Sequence, residues 1–71
     1  MTDERKEQIM QQAKWLAGRK EIDIQDEKVT ILDVCGETKA MILKSGNLYL
    51  NGVFSNPDLR RINKIVSLLR K

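Results

Sequence analysis

Cys35 is the side chain best suited to covalent chemistry, and its surroundings do not equip it for that role. A thiol becomes a nucleophile when a nearby base or cation favours the thiolate. The chain has one cysteine and no histidine, so neither a Cys-His dyad nor a Ser-His-acid triad can be built within it. No cation adjoins Cys35 in sequence, and Gly36 follows it. That is the pattern of a small, partly buried residue at a strand end. A lone cysteine forms no internal disulfide, and the lack of histidine removes most zinc sites. The residues point to a protein that is not an enzyme and that uses no metal and no cofactor.

Other chemistry-bearing patterns are equally sparse. The acidic run Glu21-Ile22-Asp23-Ile24-Gln25-Asp26-Glu27 lacks the mid-loop glycine that a calcium loop turns on, so it reads as a solvated edge. The four glycines are isolated, and none belongs to a phosphate-cradling motif.

Charge placement says more than the net charge of +3. Residues 21–37 are acidic, whereas residues 57–71 carry Arg60, Arg61, Lys64, Arg70 and Lys71 against Asp58 alone. On a helix, Arg60, Lys64 and Lys71 lie near one flank and Arg61 near another, a pattern able to meet phosphates. The helix dipole also favours cations near a C-terminus, and these could instead answer the acidic 21–27 segment. Nucleic-acid binding through 57–71 is therefore the alternative reading.

Trp15 is the remaining side chain of note. At about 100° per residue it projects opposite the Ile9–Ala13–Leu16 side of its helix. Stacking by Arg19 is one account of it, cover from elsewhere in the chain another, and contact with a second chain a third.

The elements that position these residues follow from periodicity. Thr2 is a helix N-cap, Asp3 and Glu4 suit the first turn, and apolar residues recur at helical spacing from Ile9. A helix over 3–17 is expected, closed by Gly18 with Arg19 and Lys20 near its last turn. Apolar runs at 29–34, 39–43 and 48–50 are separated by short glycine-bearing breaks, which reads as an antiparallel meander. The alternation in Glu21-Ile22-Asp23-Ile24-Gln25 reads either as a fourth strand, joined through a turn at Asp26-Glu27, or as an extended connector with Ile22 and Ile24 tucked into the core. Asn51-Gly52 turns the chain off the sheet, so that Phe54 packs beneath a helix over 57–69. That helix is capped by Ser55 with Asp58 or by Asn56 with Pro57. Its seam is Leu59, Ile62, Val66 and Leu69.

The expected fold is α+β: helix, three- or four-stranded antiparallel meander, helix, in one domain over 1–71. Two-residue hairpin loops would place Thr30, Leu32, Val34, Met41, Leu43, Leu48 and Leu50 on one face of the sheet. The other face would carry an apolar stripe of Val29, Ile31, Ala40, Ile42 and Tyr49. The first face is the one the helices are expected to cover. Trp15, Val29, Ile31, Ile42 and Tyr49 are then left as a candidate protein interface.

A chain this short, with neither disulfide nor metal, gains stability by pairing. A homodimer is expected, with a further protein partner open. The polar N-terminus is unlike a signal peptide, and no apolar run approaches membrane-spanning length. With its single thiol, the chain reads as a cytoplasmic interaction or regulatory module.

Overall fold

Thr2 opens the first helix. In the computed structural model, which describes residues 2–16 and 21–71, Thr2 is extended and its hydroxyl accepts from the Arg5 N–H at 3.2 Å. Helix α1, Asp3–Ala13, begins with Asp3 and Glu4 at its positive end. It stops four residues short of the expected 17. The Lys14 N–H bonds to the Met10 carbonyl, and a tighter turn from Leu16 N–H to the Ala13 carbonyl at 3.0 Å follows. That turn still delivers Leu16 to the core beside Ile9 and Ala13. The expected stop at Gly18, with Arg19 and Lys20, lies outside the described residues.

Four antiparallel strands follow in chain order: β1 (Glu21–Ile24), β2 (Lys28–Leu32), β3 (Thr38–Leu43) and β4 (Leu48–Leu50). The Asp26-Glu27 turn is closed by Gln25 N–H to the Lys28 carbonyl, 2.9 Å. It sets Ile22 against Ile31 and Ile24 against Val29. The fourth strand is therefore real.

The two glycine hairpins both use odd loops, with opposite consequences. Between β2 and β3, Asp33 pairs with Glu37 around residues 34–36. Lys39 is an extra residue in the ladder there, between the pairs Ile31–Ala40 and Leu32–Thr38. A β-bulge and an odd loop cancel, so Val29, Ile31, Ala40 and Ile42 share a face as expected. Between β3 and β4, Leu43 pairs with Asn47 around residues 44–46, with Gly46 at φ +98°. No bulge compensates in this ladder. Ile42 pairs with Leu48, Ala40 with Leu50, and Met41 with Tyr49. The expected placement of β4 is thus reversed: Leu48 and Leu50 join the Ile42 side, and Tyr49 joins Met41.

Both helices do cover one face, but it is the other one. Val29, Ile31, Ala40 and Ile42 are sealed against Ile9, Ala13, Leu16, Ile62, Ile65 and Leu69. The fourth strand decides this. Ile22 and Ile24 add to the Val29 side, and the odd loop adds Leu48 and Leu50, giving a charge-free apolar face. The opposite side receives Glu21, Asp23 and Lys28.

Helix α2, Asn56–Leu69, is capped by Ser55. Its hydroxyl accepts from the Asp58 N–H, and the Asp58 carboxylate accepts from the Ser55 N–H, both at 3.3 Å. Ser55 takes the cap over Asn56 because its side chain and that of Asp58 satisfy two end donors reciprocally. Phe54 is half-buried against the core, with the Lys39 ammonium 5.3 Å from its ring centre. The helices pack against each other, α1 also over β1 and α2 over β3.

Candidate interaction surfaces

The interface expected from the sequence is divided by the structure. Val29, Ile31 and Ile42 are 0–1 % exposed inside the chain's own core, so they offer nothing to a partner. Tyr49 is 53 % exposed and Trp15 64 % exposed. Trp15 follows α1 in the helix layer, while Tyr49 lies on the opposite side of the sheet. The cation nearest the Trp15 ring among the described residues is Lys14, 5.5 Å from its centre. The expected Arg19 stack lies outside them.

The surface left open is the outer face of the sheet. Alternation from the buried residues assigns Thr30, Leu32, Met41, Leu43 and Tyr49 to it, with Glu21 and Asp23 along the β1 edge and Lys28 on β2. Leu32, Met41 and Leu43 are only partly exposed; across the ladder Leu32 faces Glu21 and Thr38, Met41 faces Thr30 and Tyr49, and Leu43 faces Lys28. One cross-strand row runs Asp23, Thr30, Met41, Tyr49, with a carboxylate at one end and a phenol at the other. Asp23 Oδ2 accepts from Gln25 Nε2 at 2.9 Å, two residues along the same edge.

A second surface lies between the helices. Two adjoining hollows of about 350 and 340 Å3 share Gln12 and Lys64. Lys71 lines the first and Arg60 and Arg61 the second, so all four candidate phosphate contacts meet along one groove. Arg61 also stands 4.0 Å from Asp58.

Arg70, counted with this basic cluster from sequence, does something else. Its Nε donates to the Lys44 carbonyl (2.9 Å) and its Nη2 to the Ser45 carbonyl (2.7 Å), clamping the β3–β4 turn to the end of α2. Nothing in a linear pattern marks that contact, which spans 25 residues. Asp33 was likewise missed: its Oδ1 accepts from the N–H groups of Cys35 (2.8 Å) and Glu37 (3.0 Å) and shapes the β2–β3 loop.

Cys35 sits in that loop and is exposed, a correction to the partly buried strand-end position expected of it. The odd loop lifts it off the sheet. Among the described residues, no three His, Cys, Asp or Glu side chains gather as a metal ion would need. No described helix is long and apolar enough to cross a membrane. Comparison with protein families, curated proteins and solved structures finds nothing that matches this chain.

Proposed function

We propose that this chain is a small regulatory or adaptor module that acts by contact and not by catalysis, and that it pairs with a second copy through the open sheet face. The observation that carries this reading is the outer face itself. Antiparallel sheets commonly leave one face to water, but such a face is ordinarily polar. Here Met41 sits at its centre beside Thr30, with Leu32, Leu43 and Tyr49 around them.

A second copy fits because one two-fold axis pairs the two polar ends of the central row. A two-fold axis running along the strands lays β1 of one copy over β4 of the other. Asp23 then meets the partner's phenol at the Tyr49 position, and Thr30 meets Met41. An axis across the strands would instead stack Asp23 on Asp23, which like charges oppose. The face measures about 19 Å by about 17 Å from strand spacing and rise. That is well below the roughly 800 Å2 per partner of a standard interface, so association in the micromolar range is expected. The exposed, unpaired thiol fits a reducing compartment, and we assign the module to the cytoplasm.

Sedimentation equilibrium tests this reading. Wild type should fit a monomer–dimer equilibrium, and Met41→Glu should weaken it by about 100-fold or more, since two carboxylates would be buried together. A wild-type monomer throughout the range, or a dimer indifferent to Met41→Glu, would overturn it.

A further inference from the structure

We propose that the groove between α1 and α2 binds the sugar–phosphate backbone of a nucleic-acid duplex. Arg60, Arg61, Lys64 and Lys71 line one wall, and neither hollow is lined by an aspartate or glutamate. The facing wall of α1 presents Gln8, Gln11 and Gln12. Carboxamides donate N–H groups to phosphate oxygens without adding negative charge that would repel them. The groove is thus a run of donors bounded by two rigid helices.

Internal neutralisation does not account for these cations. The acidic residues 21–27 line neither hollow. Among the described residues, Arg60, Lys64 and Lys71 form no salt bridge, whereas Arg61 has the long contact to Asp58. The helix dipole does not account for Arg60 and Arg61 either, because both lie in the second turn of α2, away from the C-terminal end where it favours cations. From Arg60 to the end of α2 at Leu69 the helix rise spans about 14 Å, with Lys71 just beyond it. Each strand of a duplex carries a charge about every 3.4 Å along its axis, so several phosphates fall within that reach. No aromatic side chain lines the groove. Single-strand binders rely on aromatic platforms for unstacked bases, so the chemistry here favours the backbone of a duplex.

Fluorescence anisotropy with a mixed-sequence DNA duplex and its separated strand, between about 50 and about 200 mM salt, tests the proposal. Four phosphate contacts predict a log–log salt slope near −3.6, a loss of roughly 150-fold in affinity over that range. The double variant Arg60→Gln/Lys64→Gln should flatten the slope by about 2. Lys39→Gln/Lys44→Gln removes the same net charge away from both the groove and the open sheet face and should leave the slope unchanged, with circular dichroism confirming that both variants fold. Three results would overturn the proposal: no duplex binding at low salt, equal effects of the two double variants, or tighter binding of the single strand.

Discussion

The Arg70 guanidinium packs closely against Gly46. A Cβ added at Gly46 would lie 2.8 Å from Arg70 Nη2, and the backbone there is left-handed at φ +98°. Gly46→Ala should destabilise the fold by about 1–3 kcal/mol in denaturant titration, through the strained backbone and the displaced guanidinium together. In an Arg70→Ala background the added cost should be smaller, since only the backbone part remains; equal costs would show that the contact contributes nothing. Trp15 is the opposite case. Its ring is mostly in solvent, so Trp15→Ala opens no packed cavity and should stay within about 1 kcal/mol of wild type in the same titration. Trp15 is exposed as its helical angle implies, although α1 ends at Ala13 and Trp15 stands in the turn beyond it. The Arg70 contact was not legible in the sequence, because its partners are carbonyls in a turn 25 residues away.

At the scale of elements, hairpin parity governs which face is core. Three strands and both helices could be read from alternation, turn residues and caps, while residues 21–25 were open between a fourth strand and a connector until their pairing with β2 decided it. The covered face could not be read from the two glycine hairpins alone. One added residue in each loop reverses a strand, and a bulge at Lys39 undoes that reversal in one hairpin and not in the other. Part of the answer was nevertheless present in β1. A two-residue turn at Asp26-Glu27 necessarily sets Ile22 and Ile24 beside Ile31 and Val29, which tips the apolar count toward the Val29 side. Paired alanine substitutions test the assignment. Ile42→Ala should cost about 2–5 kcal/mol, whereas its strand neighbour Met41→Ala should cost about 1 kcal/mol or less in dilute protein. Comparable losses at both positions would contradict a one-sided core. The α2 cap gives a further check. Asp58 is nearly buried and is engaged by the Ser55 N–H, so Asp58→Ala should lower stability by about 1–2 kcal/mol.

Across the whole molecule, two layers leave two kinds of surface. The helix layer turns outward a groove of cations and carboxamides, while the sheet turns outward a small apolar face with an acidic border. Both helices cover the Val29–Ile42 side, so the sheet's other face stays open, and the proposed two-fold axis along the strands sets Asp23 of the row Asp23–Thr30–Met41–Tyr49 against the partner's phenol. The surplus stripe expected from the sequence is instead the core, so the pairing proposed above rests on different residues, Met41 and Tyr49 among them. The most direct test is an isotope-filtered NOE experiment on a mixture of labelled and unlabelled protein above the association midpoint. Contacts between the Met41 methyl of one copy and the Thr30 methyl of the other, with Tyr49 ring protons near the partner's β1 edge, are the predicted result. Intermolecular contacts confined to helix residues, or none at all in a sample that sediments as a dimer, would contradict pairing through the sheet.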